Sequence, residues 1–122
     1  MAKKKLKPLL PTLREKKRYL AFEVLSKDKI ADFDTVSNAI LHASAEFLGQ
    51  LGVSKAGLLV LSDKWDKNSQ RGIVRVSHNH VDNLKAALTM IGKINDNDAI
   101  VKSVGVSGIL NKAEKRYLKI AG

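Results

Sequence analysis

The chain contains no cysteine. Disulfide scaffolds, Cys-ligated zinc, iron–sulfur clusters and thiol nucleophiles are therefore excluded. Aromatic residues are scarce: three Phe, two Tyr and one Trp in 122 residues. A sheet surface that stacks a row of bases needs rings on its central strands, so this scarcity argues against one. Both prolines, Pro8 and Pro11, lie near the N-terminus. No apolar run approaches the roughly 20 residues of a membrane span. The basic N-terminus is not followed by an apolar segment of the signal-peptide kind, so a cytoplasmic protein is expected. The chain has no GxSxG, no HExxH and no dinucleotide fingerprint, and no catalytic residue, bound metal or cofactor is expected of it.

What the chain has is positive charge, placed unevenly. The net charge is +10, from 22 Lys and Arg against 12 Asp and Glu. Residues 1–18 hold eight bases and one acid; residues 19–111 hold ten of each; residues 112–122 hold four bases and one acid. All the excess therefore sits at the two ends of a neutral body. One domain fits the length, and such a chain buries roughly two thirds of its unfolded surface without a staple. Residues 1–18 read as a basic arm and 19–122 as the folded domain with a basic C-terminal helix.

Hydrophobic periodicity supplies the elements. Tyr19–Ser26 alternates as a strand, with Leu20, Phe22 and Val24 on one face and Tyr19, Ala21 and Glu23 on the other. A helix is expected from about Phe33 to Gln50, capped by Asp32 or Asp34, with a stripe of Val36, Ile40, Ala43, Phe47 and Leu51 and stops at Gly49 or Gly52. Gly57–Leu61 and Gly72–Ser77 read as strands around a polar loop that contains Trp65. A second helix, capped by Asn79, carries Val81, Leu84, Leu88 and Ile91. A turn at Asn95–Asp98, a strand at Ala99–Val104 and a last helix that begins after Gly105, with Ser107 as its candidate cap, and runs to about Ile120 complete the chain. This order predicts an α/β (α+β) fold: a ferredoxin-like βαββαβ sandwich with a four-stranded antiparallel sheet, plus a C-terminal helix and a basic N-terminal arm.

The arm holds Lys3, Lys4, Lys5, Lys7, Arg14, Lys16, Lys17 and Arg18. Such a cluster neutralises phosphates and releases their counterions. Tyr19 at its end adds a ring for stacking. On the last helix, Lys112, Lys115, Arg116 and Lys119 fall on one side, and Leu110, Ala113 and Tyr117 on the other. One side then packs and the other meets phosphate, although bases near a helix C-terminus are favoured in any case. Arg75 lies in the segment Arg71-Gly72-Ile73-Val74-Arg75-Val76, which opens like an RNA-recognition strand but has Ile and Val where that motif has rings. Arg75 joins the RNA-binding candidates. Gly105-Val106-Ser107-Gly108 before a helix offers amides to a phosphate but lacks the P-loop lysine. His78 and His80 have no third ligand nearby, and Asp63, Asp66, Asp96 and Asp98 are turn residues.

The segment Pro11–Val24 resembles the opening of the archaeal ribonuclease P protein component 2 family, which is similar to a small subunit of the eukaryotic ribonuclease P and MRP particles. Gly72–Val76, Ala86–Thr89 and Val104–Leu110 extend the resemblance over about residues 8–118. It implies a ferredoxin-like fold and a subunit of the ribonucleoprotein that removes 5′ leaders from precursor tRNA. It also implies that the RNA and its Mg²⁺ perform the chemistry. The protein then braces the catalytic domain of that RNA, close to the substrate. Its implied protein partner is ribonuclease P protein component 3, in a two-plus-two assembly. A ferredoxin-like adaptor in another RNA-processing assembly is the alternative.

Overall fold

The computed structural model describes residues 16–118. Its elements are β1 (Lys17–Ser26), α1 (Phe33–Ala56), β2 (Leu59–Val60), β3 (Arg71–Ser77), α2 (Val81–Thr89), β4 (Lys93–Ile94), β5 (Asn97–Ser107) and α3 (Leu110–Ala113). A π-helical turn, Glu114–Leu118, continues α3, and the two form the C-terminal helix. The sheet is antiparallel, in the order β2-β3-β1-β5-β4. It has five strands rather than the four expected. The added strand, β4, is two residues long and pairs only with Asn97 and Asp98. So short a strand has no period to read. The expected turn at Asn95–Asp98 is the hairpin that joins it to β5, with Asn95 at φ 52°.

β1 is central because both of its faces are covered. Leu20, Phe22 and Val24 meet Val74 and Val76 of β3 and Val101 of β5 under α1 and α2, which contribute Val36, Ile40, Leu84 and Leu88. Fully burying one such side chain is worth about 1.5–3 kcal/mol, so this face is the main source of stability. Ala21 and Ile73 look the other way and are covered by Ala113 of α3, with Tyr19, Leu61, Leu110 and Tyr117 around them. The face left open by an RNA-recognition sheet is thus partly closed by the chain's own last helix.

α1 departs from its expected course at Gly49. Asp32 caps it as expected, its Oδ1 accepting from the Asp34 amide at 3.2 Å. The helix then breaks at Gly49 (φ 76°, ψ 167°), a conformation that costs a side-chain residue about 1–3 kcal/mol. It resumes to Ala56, beyond the expected end. Phe47 and Leu51, expected in the buried stripe, are 45% and 69% exposed; Leu51 lies beyond the break and is carried off the stripe's line, whereas Phe47, two residues before it, stays on that line at the edge of the core. Gly49→Ala should lower stability by about 1–3 kcal/mol in chemical denaturation, with no change in the surrounding packing, since nothing lies within 4 Å of the added carbon.

Candidate nucleic-acid interface

The bases fall into two groups: those held by the fold and those left free. Lys17 belongs to the first. It is already in β1, and its Nζ donates to Ser77 Oγ at 3.4 Å. The ammonium also lies against Gly57, whose amide donates to Val53 O and Ser54 O at the C-terminal end of α1. A cation there is favoured by the helix dipole. Arg71 Nη1 donates to Tyr117 O at 2.7 Å, and its Nη2 lies 3.6 Å from Glu23. Lys64 pairs with Glu114 at 3.3 Å. Arg71 and Lys64 therefore fasten the C-terminal helix to the sheet, a role that sequence reading missed because their partners lie 46 and 50 residues away.

The second group includes bases on the α3 side of the sheet. Tyr19 and Arg75 are cross-strand neighbours in β1 and β3. Both are half-buried, and Leu59 flanks Arg75 from β2. Arg75 Nε is buried and has no hydrogen-bond partner among the described residues. An unpaired guanidinium nitrogen in that state is uncommon, since buried polar groups are normally hydrogen-bonded. Lys16 is exposed at the start of this strand, and its carbonyl accepts from the His78 amide at 2.8 Å. Arg18 Nη1 donates to Lys17 O at 3.1 Å, beside Gly108.

α3 leaves the sheet just after Ser107, the residue paired with Tyr19. Ser107 Oγ accepts from the Ile109 amide at 3.1 Å, and the helix begins one residue later. As expected, Leu110, Ala113 and Tyr117 pack inward. Lys112, Lys115 and Arg116 are exposed and line one open depression of about 280 Å³. None of the three has a carboxylate within ion-pair distance among the described residues. Tyr19 and Arg75, on the sheet face that α3 covers, and the outer face of α3 are therefore two candidate surfaces on one side of the molecule, with Lys16 exposed at the start of β1. Lys3, Lys4, Lys5, Lys7, Arg14 and Lys119 lie outside the described residues.

Two glycines read as nucleic-acid features serve packing. Gly72 lies under the Phe22 ring, and a side-chain carbon there would stand 2.7 Å from Phe22 Cζ and 3.2 Å from Trp65 Cε3. Trp65 stacks on Phe22 with ring centroids 6.1 Å apart, and its Nε1 donates to Ala31 O at 3.2 Å. Gly105 lies under the Tyr117 ring, which fills the space a side chain would need. His80 Nδ1 meets Asn83 Nδ2 at 3.3 Å rather than a second histidine. The Asn68 amide donates to Asp66 Oδ1 and holds that carboxyl below its ordinary range, as turn chemistry requires. Among the described residues, no helix is long and apolar enough to cross a membrane.

Residues 18–118, almost the whole described fold, match the model of the Rpp14/Pop5 family. The chain belongs to that family. Among its relatives, ribonuclease P protein component 2 of Pyrococcus furiosus is 40% identical over 116 residues, covering 95% of this chain and 94% of the relative. The Methanocaldococcus jannaschii protein of the same name is 39% identical over 116 residues, covering 94% and 82%. The Rpp14/Pop5 fold seen here also resembles a chain in the cryo-EM structure of yeast ribonuclease MRP, with a TM-score of 0.62 at 15% identity, over 88% of this chain and 89% of that one. The resemblance to the family noted in the sequence therefore extends across the β1–α3 framework that positions both candidate surfaces.

Proposed function

We propose that this chain is a protein subunit of ribonuclease P, a ribonucleoprotein of the cytoplasm. Its part is to bind and stabilise the catalytic domain of the ribonuclease P RNA for 5′-leader removal from precursor tRNA. The observation that carries the reading is the set of free bases, Lys112, Lys115 and Arg116, on the same side of the sheet as Tyr19 and Arg75. The α3 cover over Ala21 and Ile73 leaves little sheet for reading bases. Recognition therefore runs through phosphates, which position a structured RNA without reading its sequence. Mg²⁺ held by the RNA supplies the chemistry. Ribonuclease P protein component 3 is the protein partner, in a two-plus-two assembly, with precursor tRNA nearby.

Titration of the purified chain onto ribonuclease P RNA should give saturable binding that weakens steeply with salt. The chain alone should leave precursor tRNA uncut. Binding that ignores salt, or cleavage without the RNA, would overturn the proposal.

A further inference from the structure

The outer edge of β5 has a chemistry different from that of the basic surfaces. In β1, the Val24 amide donates toward β3, to Gln70 O at 2.8 Å. Strand alternation then turns Tyr19, Ala21, Glu23 and Leu25 toward β5, where they pair with Ser107, Gly105, Lys102 and Ile100. It follows that Val101 and Ser103 turn their N–H and C=O groups away from β1. Ala99 belongs to the same outward set, and its amide donates to Gly92 O at 3.0 Å, where the line of β4 ends. β4 itself covers only Asn97 and Asp98. Beyond them, no described strand lies against this edge. The extra residue at Val104, where the β1 register shifts, bounds the regular part of the free edge to residues 100–103.

A row of unpaired main-chain groups is a template for another strand. The side chains beside it favour a protein occupant. Leu25 and Ile100, paired across the strands, are 44% and 59% exposed. They line an open groove of about 520 Å³ that reaches Gly92, where the cover by β4 stops. From Ala99 to Ser107 there is one base, Lys102, and no acid. Lys102 is 3.8 Å from Glu23, a carboxylate it shares with Arg71.

We propose that the outer edge of β5 receives an extended strand of a protein partner, paired with Val101 and Ser103. An apolar side chain of that strand covers Leu25 and Ile100, and a carboxylate faces Lys102. This surface stands apart from RNA binding, which uses the other end of β1 and the outer face of α3.

Hydrogen exchange at Val101 and Ser103 tests it, in the chain alone and in the ribonucleoprotein purified from cells through a tag on this chain. Both amides should exchange freely in the chain alone. In the particle they should slow by about tenfold or more, and stay slow after the RNA is digested. Ser103→Pro removes an N–H that the fold does not use, and should weaken retention of protein partners by about tenfold while leaving RNA affinity unchanged. Equal exchange in both samples would overturn the proposal. So would protection that vanishes with the RNA, since the cover would then be nucleic acid. Protection already present in the chain alone would assign the edge to a second copy if it rises with concentration, and to the chain itself if it does not. If the proline variant does not fold, the exchange comparison still decides.

Discussion

Gly105→Val will unseat the C-terminal helix and cost roughly 2–3 kcal/mol of stability, the scale of overpacking in a well-filled core. The Tyr117 ring occupies the space into which a side chain at 105 would grow, and it has little room to yield. Its own carbonyl is tied to Arg71, and Glu114, three residues earlier, is tied to Lys64. A displaced ring therefore strains two attachments as well as the Ala21, Ile73 and Ala113 contact. Thermal melting gives the magnitude. A double-mutant cycle identifies the cause: in a Tyr117→Ala background, Gly105→Ala should cost little, whereas in the natural chain it should cost more. Additive costs in that cycle would show that the glycine serves its own backbone rather than the ring. Gly105→Val should also weaken RNA binding, because the helix that presents Lys112, Lys115 and Arg116 would lose its seat.

The same glycine marks the boundary of what the sequence could reveal. Gly105 before a helix invites a phosphate-loop reading, because local spacing says nothing of a tyrosine twelve residues on. Gly72 after Arg71 invites an RNA-recognition reading, although its requirement comes from Phe22 on the neighbouring strand. Where one residue's role depends on its own period, the reading was sound. β1 alternates between two covered faces, so Leu20, Phe22 and Val24 separated cleanly from Tyr19 and Ala21. The inward and outward sides of α3 followed from helical spacing in the same way. α1 failed at its far end because one glycine break at 49 ends the period without ending the helix. Of the candidate interface, the free bases on α3 were legible and the fate of Lys17 was not. Its partners, Ser77 and the end of α1, are brought to it only by the completed sheet.

Charge reversal of the outer face of α3 separates binding from folding more sharply than any change in the arm. Lys112→Glu, Lys115→Glu and Arg116→Glu together should leave the melting temperature nearly unchanged, since all three side chains are exposed and make no ion pair among the described residues. Affinity for ribonuclease P RNA should fall by roughly one to two orders of magnitude at moderate salt, and the salt slope should drop by about 2–3, close to one per lost phosphate contact. Lys17→Ala makes the contrast: one base removed where the basic sequence runs into β1, yet a cost that appears first in stability through Ser77 and the C-terminal end of α1. If the triple reversal leaves the slope intact, the helix serves only packing, and the phosphate contacts lie with Lys16, Arg75 and the bases before them. If both the slope and the melting temperature fall, the helix has moved, and the loss belongs with that of Gly105→Val. Only a lowered slope on an unchanged melting curve assigns those three bases to the RNA.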